Sequence, residues 1–238
     1  MKAFIFAAGL GTRLFPLTDE KPKAMVEIAG KPMLQMQIER LKKFGFNYIV
    51  VNVHHFSEQI INFLKNNDFG VEIKISDETN ELLNTGGGLK NAQQFFNEGD
   101  IFLVHNVDIY SNIDLRDMYD FHLNSCNLGT MAVKHRDSSN YLLFDETDRL
   151  CGWKSYKTHS EIISIKKAYY NEMAFSGIYV FNYEIFELMQ RKGSFSIIPE
   201  LLTIAKTDRI GAYIHDDKEI LDLGKPSAIK ECEIILNS

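Results

Sequence analysis

A three-layer α/β/α domain, Rossmann-like and built on a mostly parallel but mixed central sheet, is the fold class this sequence predicts. Two observations lead there. Short apolar, β-branched runs alternate with amphipathic stretches through the first half of the chain, the pattern of a parallel sheet covered by helices on both faces. The 238 residues suit one α/β domain or two small ones, and no Pro- or Ser-rich linker, low-complexity run or internal repeat divides them. One domain over 1–238 is expected, with a regular half (1–125) and a less regular half (126–238).

The elements follow in order. Residues 3–8 are a buried strand. Residues 34–44 carry Leu34, Ile38 and Leu41 at helical spacing, and Gly45 ends that helix as a C-cap does. A second strand (48–53) precedes a helical pattern at 57–65, with Ser57 in the N-cap position. Then come a strand (71–75), a helix (89–96), a strand (101–104) leading into Asn106-Val107-Asp108, and a helix (115–123). In the second half, 129–134, 141–145 and 178–181 predict strands and 183–190 a helix. Residues 195–205 predict another helix if Pro199 sits in its first turn. Strands at 210–214 and around 221–223 and a helix at 228–236 complete the chain.

Hydrophobic residues are 45% and charged residues 24%, an ordinary globular balance that buries a core and excludes a disordered chain. Lys and Arg number 26 against 32 Asp and Glu, so the net charge of −6 is the wrong sign for a general nucleic-acid binder. A small anionic ligand is still open to a chain that gathers a few cations in one cleft. Cys126, Cys151 and Cys232 are far apart, with no CxxC spacing, so neither a disulfide framework nor a zinc site is expected. The apolar start stops at Gly9, too early for a signal peptide, and no stretch reaches the roughly 18–20 apolar residues of a membrane span. A cytoplasmic protein with no membrane partner is expected.

The strongest chemical signal is Gly9-Leu10-Gly11-Thr12-Arg13-Leu14-Phe15-Pro16-Leu17-Thr18 followed by Lys21-Pro22-Lys23. A glycine-rich turn straight after a first strand lets backbone N–H groups come close to a phosphate chain. A dinucleotide fingerprint would need glycine where Leu14 stands, and a Walker A loop needs Gly-Lys-Ser/Thr, which is absent. What remains is a glycine loop trailed by three cations, Arg13, Lys21 and Lys23: a planar fork for phosphate and two mobile point charges. Asp108 follows a strand's carboxyl end, where α/β sheets bind ligands.

That string, with Lys31-Pro32-Met33, Asn84-Thr85-Gly86-Gly87-Gly88, Asn106-Val107-Asp108, Phe175-Ser176-Gly177-Ile178-Tyr179-Val180-Phe181 and Leu221-Asp222-Leu223-Gly224-Lys225-Pro226, resembles the signature of sugar-1-phosphate nucleotidyltransferases over nearly the whole chain. The resemblance is strongest to short members such as N-acetylmuramate-1-phosphate uridylyltransferases and mannose- or heptose-1-phosphate guanylyltransferases. It implies the nucleotidyltransferase fold, with a nucleotide-binding half (1–125) and a sugar-binding half (126–238). It implies an NTP, UTP or GTP, and a sugar-1-phosphate as partners, and Mg²⁺ as cofactor. Ala8, Gly9, Gly11 and Thr12 would hold the nucleotide, with Arg13 on its β- and γ-phosphates. Lys23 would neutralise charge where the two phosphates meet. The Thr85-Gly86-Gly87 loop would contact the base or nucleoside, and Gly177 would lie beside the sugar. Asn106 belongs to the same binding set, Asp108 is catalytic and a Mg²⁺ ligand, and Asp222 is the second metal carboxylate. The chain departs from the family pattern at Val107, where a small residue is usual, and at Gly152-Trp153-Lys154-Ser155, which replaces a Val-Glu-Lys-Pro segment. Altered packing, with the metal site kept, is expected at Val107.

Other conspicuous residues have plainer readings. Adjacent His54 and His55 point to opposite faces of a strand. His105 is expected to be a hydrogen-bonded histidine near the core, Asp114, Asp117 and Asp120 a solvated helix face, and Tyr169, Tyr170 and Trp153 packing residues. Two alternatives are a cytidylyltransferase acting on a non-sugar phosphate such as phosphocholine, a class that shares the glycine-rich opening, and a non-catalytic nucleotide-sensing subunit built on the same fold. The presence of Arg13, Lys23, Asp108 and Asp222 together favours an enzyme.

Overall fold

The computed structural model describes residues 1–237. Its core is four parallel strands: β1 (Lys2–Phe6), then, past the short hairpin of β2 (Glu27–Ile28) and β3 (Lys31–Pro32) and helix α1 (Met33–Lys43), β4 (Tyr48–Val53). Helix α2 (Ser57–Asn66) leads to β5 (Glu72–Asp77), and α3 (Asn84–Asn91) to β6 (Ile101–Asn106). The strands lie in the order β5-β4-β1-β6, with Phe6 level with both Asn52 and Asn106, so three carboxyl ends share one rim. Beyond them β7 (Ile109–Ser111) and α4 (Leu115–Leu123) close the first half.

The second half is β8 (Gly129–Lys134), β9 (Asn140–Phe144), β10 (Leu150–Ser155), β11 (Ser160–Ile163), the twelve-residue β12 (Asn171–Asn182), α5 (Ile185–Leu188), α6 (Ile197–Ile204), β13 (Ile210–Ile214), β14 (Ile220–Asp222) and α7 (Pro226–Asn237). β12 runs antiparallel to β6 and carries the sheet onward, pairing β9 at its start and β8 between Ala174 and Phe181. The sheet is therefore parallel in the first half and mainly antiparallel in the second, where β8–β13 is the parallel pair among the described residues. β7 and β14 form a separate two-stranded ribbon, Asp222 opposite Ile109.

The strand pleat splits the core into two layers. Ala3, Ile5, Val51 and Leu103 face α1, α2, α4 and α7; Phe4, Val50, Phe102 and Val104 face α3, α5 and α6. Phe102 stacks on Phe96 (4.3 Å between centroids) and Phe186 (5.2 Å) in the second layer. This is the expected α/β/α sandwich.

Several boundaries differ for identifiable reasons. Ser57 is the first residue of α2; the cap position belongs to Phe56, in the left-handed region at φ 51°. The helix expected at 89–96 begins at Asn84, takes in all three glycines, and ends as a 3-10 turn over Ala92–Phe95. The helix expected at 183–190 shrinks to the four residues of α5, while Pro199 does fall in the first turn of α6. No helix among the described residues is long and apolar enough to cross a membrane.

Candidate active site

At the rim made by β1, β4 and β6 lies a cleft of about 450 Å³. Its near wall is the turn after β1. Asn52, at the end of β4, accepts the Ala7 and Ala8 N–H groups on Oδ1 (2.6 and 3.2 Å), which folds the chain sharply off the sheet. Gly11 then takes φ 68°, and a side chain there would come within 2.9 Å of Thr18 Cγ2 and 3.0 Å of Lys23 Cβ. Thr18 Oγ1 donates to the Gly11 carbonyl (3.0 Å), pinning the loop to the segment that carries Lys23. Ala8, Gly9, Gly11, Thr12, Arg13, Lys23, Thr85, Asn106 and Asp108 all line the cleft.

Four charges meet at its mouth. Lys23 Nζ lies 2.5 Å from Asp108 Oδ2, with both side chains mostly buried. Arg13 bridges the two acids: Nη1 to Asp222 Oδ2 at 2.8 Å, and Nη2 to Asp108 Oδ2 at 3.6 Å. The hydrogen bond from Arg13 to Asp222 raises the guanidinium pKa. Burial pushes Asp222 up, but Arg13 and the Gly224 N–H outweigh it and hold the carboxyl below its usual value. Gly224 keeps the cluster compact: a Cβ there would stand 2.5 Å from Arg13 Nη2 and 2.9 Å from an oxygen of each aspartate. The Leu223 N–H donates to the Asp108 carbonyl (2.8 Å), so the ribbon carrying Asp222 is tied to the turn after β6 that carries Asp108. Asp222 reaches this point from the β7–β14 ribbon and not from the main sheet.

Comparison with known proteins decides the family. A family model described as nucleotidyl transferase matches residues 2–236. This chain belongs to that family. It is 32% identical over 233 residues to the mannose-1-phosphate guanylyltransferase catalytic subunit beta of Dictyostelium discoideum, covering 95% of this chain and 62% of that protein. It is 29% identical over 236 residues to the N-acetylmuramate alpha-1-phosphate uridylyltransferase of Neisseria meningitidis serogroup B, covering 99% and 98%. The chain thus spans less than two thirds of the Dictyostelium relative's length. In fold it is similar to HddC from Yersinia pseudotuberculosis complexed with GMP-PN (TM-score 0.78, 24% identity, 99% of each chain). It is also similar to UDP-glucose pyrophosphorylase complexed with UDP-glucose (TM-score 0.79, 18% identity, 99% and 98%).

In this chain the remaining expected residues are placed differently. The Thr85-Gly86-Gly87 segment is helix and not loop. Thr85 faces the cleft, but the Gly86 and Gly87 N–H groups both point to the Phe195 carbonyl (2.8 and 3.3 Å). A Cβ on Gly86 would strike the Phe195 ring at 2.4 Å, and one on Gly87 the Gly193 carbonyl at 2.1 Å. These glycines let the 193–195 segment cross the helix; they back the cleft wall and do not line it. Gly177 (φ 74°) is buried in a bulge of β12 between Phe175 and Tyr179, where a Cβ would stand 2.6 Å from Ile109 Cγ1 and 3.1 Å from Asn106 Nδ2. It touches the cleft through Asn106. Val107 is 1% exposed and points into the α1-side core, so the departure there is one of packing.

Sequence reasoning missed Asn52 and Glu78. Glu78 is buried, accepts from Asn52 Nδ2 (2.7 Å) and the Leu83 N–H (3.3 Å), and burial raises its pKa. The signal for Asn52 was available: an amide inside the β-branched run Ile49-Val50-Val51-Asn52-Val53. His105 is fully buried, with Nδ1 on the Asn106 carbonyl at 2.7 Å, as expected of a core histidine. Of the three helical aspartates, Asp114 caps α4 through the Arg116 and Asp117 N–H groups, a role not foreseen.

Proposed function

We propose that this chain transfers a nucleoside monophosphate from an NTP, UTP or GTP, to a sugar-1-phosphate, forming an NDP-sugar and pyrophosphate. One observation carries the reading: Arg13, Asp108 and Asp222 converge around Gly224, with Lys23 on Asp108, beside a glycine loop that lines the cleft. The names of the full-length and structural relatives agree with that chemistry.

An oxygen of the sugar phosphate attacks the α-phosphorus in line, the bond to the β-phosphate breaks, and pyrophosphate leaves. The nucleophile is already an anion, so positioning and charge neutralisation dominate over proton transfer. Ala8, Gly9, Gly11 and Thr12 cradle the triphosphate, Arg13 turns from Asp222 to the β- and γ-phosphates, and Lys23 stabilises charge at the α-phosphate. Thr85, with Gly86 and Gly87 shaping the wall behind it, borders the nucleoside; Asn106 and Gly177 border the sugar.

Mg²⁺ fits the donor set. Two carboxylates flanking one point offer hard oxygen ligands, and no group of three or more His, Cys, Asp or Glu competes with them among the described residues. Asp108 and Asp222 would hold the ion, which when bound neutralises phosphate charge and orients the two reacting phosphates. The test is a pyrophosphate-release panel of four NTPs against mannose-, glucose- and N-acetylmuramate-1-phosphate and phosphocholine. Turnover with UTP or GTP and a sugar phosphate is expected; turnover only with CTP and phosphocholine, or with no pair, overturns the proposal.

A further inference from the structure

The strands β9, β10 and β12 present one polar face. Lys154 and Tyr141 are register partners, so their side chains share it. Lys154 is committed: Nζ lies 3.0 Å from Glu172 Oε1 and 2.9 Å from the Tyr156 hydroxyl, which itself donates to Glu172. Tyr156 meets Tyr141 edge to face at 5.7 Å. This carboxylate–tyrosine–lysine cluster leaves no cation available for an anion.

Arg136 is different. It is exposed just past the end of β8, and its Nη2 donates to the Phe175 carbonyl (3.1 Å) at the start of the β12 bulge. That bulge contains Gly177, which abuts Asn106 two residues from Asp108. Arg13, Lys23 and Lys154 each have a carboxylate partner; Arg136 has none within 4 Å among the described residues. Desolvation lowers its pKa, and the Asp222 carboxylate is close enough to oppose that shift. A guanidinium held by one carbonyl still has donors for a bidentate contact with phosphate.

We propose that Arg136 binds the phosphate of the incoming sugar-1-phosphate, holding it at the Asp222 end of the cleft opposite the triphosphate. This rests on the nucleotidyl-transfer reading above and names a residue for the acceptor side. Arg13 and Lys23 serve the triphosphate in that reading, which leaves Arg136 for the second phosphate.

The test is calorimetric binding of mannose-, glucose- and N-acetylmuramate-1-phosphate to the chain saturated with the α,β-methylene analogue of UTP or GTP, run beside the pyrophosphate-release panel. For the sugar phosphate that binds, Arg136→Gln is expected to weaken affinity at least about tenfold, the loss of one charge-assisted contact. Arg136→Lys should recover part of it, and affinity for the nucleotide analogue should stay within about twofold. Unchanged sugar-phosphate affinity in Arg136→Gln overturns the proposal, as does a wild-type chain that binds none of the three. Loss in Lys154→Gln but not in Arg136→Gln assigns the phosphate to Lys154 instead and also overturns it. Sugar-phosphate binding that depends on Arg136 without pyrophosphate release would sink the transfer reaction and leave this assignment standing.

Discussion

The two sides of the cleft are built by opposite means. On the glycine-loop side, backbone does the shaping: a turn at Gly11, an N–H pair closed by Asn52, and a helix whose glycines let another segment pass. In the second half, antiparallel strands present side chains, with Tyr141, Lys154 and Glu172 on one face and Arg136 just past the end of β8. The backbone-built side can change only through its glycines and its supporting amide. The side built from side chains can be rewritten residue by residue on an unchanged sheet.

Four predictions sharpen that contrast. The largest effect belongs to the junction of the two sides. Asp108→Asn and Asp222→Asn are each expected to cut kcat/KM by roughly 10²–10³-fold and to raise the Mg²⁺ concentration needed. Because both carboxylates meet at Gly224, the double variant should be little worse than the poorer single one. Additive losses with an unchanged Mg²⁺ titration would separate the two sides of the cleft into independent sites.

Next is Gly87→Val. A Cβ there meets the Gly193 backbone at 2.1 Å, so the expected cost is overpacking, about 1–3 kcal/mol or more. At roughly 2–4 °C per kcal/mol for a chain of this size, the melting temperature should fall by several degrees. A variant that melts like the wild type but loses nucleotide affinity would show that the glycine serves the ligand and not the packing.

Asn52→Ala should cost about 1–3 kcal/mol, because the Ala7 and Ala8 N–H groups and the buried Glu78 carboxyl all lose a partner. Kinetically it should raise KM for the NTP more than KM for the sugar phosphate. The opposite order would mean that the amide supports the acceptor side.

The smallest effect is on pH dependence. Burial lowers the pKa of His105 to about 3 and that of His215 to about 4, so both stay neutral in the folded chain. Unfolded, each takes up a proton below about 6.5. The unfolded state therefore binds more protons, and stability falls as pH drops below that value, by about 1 kcal/mol per pH unit for each histidine, until the folded values are reached. Denaturant melts at pH 7.5 and 5.5 check this, and His215→Asn should flatten the slope.

How legible the molecule was follows the same division. β4, α4, β8 and β13 stand at the boundaries their patterns predict, since each buries a continuous apolar face in one of two core layers. β10, β11 and the early half of β12 were not foreseen. Partly exposed strands such as Ser160–Ile163 carry no strong alternation, and the start of β12 pairs with β9, some thirty residues earlier. The helical setting of Gly86-Gly87-Gly88 was illegible for a related reason. Glycine disfavours helix locally, and only the Phe195 carbonyl and the crossing 193–195 segment make those residues the ones that fit.

By itself the sequence determined the alternation that makes the α/β/α sandwich, the glycine loop, and the identity of Arg13, Lys23, Asp108 and Asp222. Apolar periodicity and local turn chemistry act over a few residues and are written in order along the chain. Only the tertiary structure decided that Asp222 arrives on a separate ribbon, that Arg13 bridges both aspartates, and that Asn52 and Glu78 fix the loop from below. Those contacts join positions 26 to 209 residues apart. Which partner each charge or amide finds is set by where the sheet brings the strand ends together, and no local pattern encodes that.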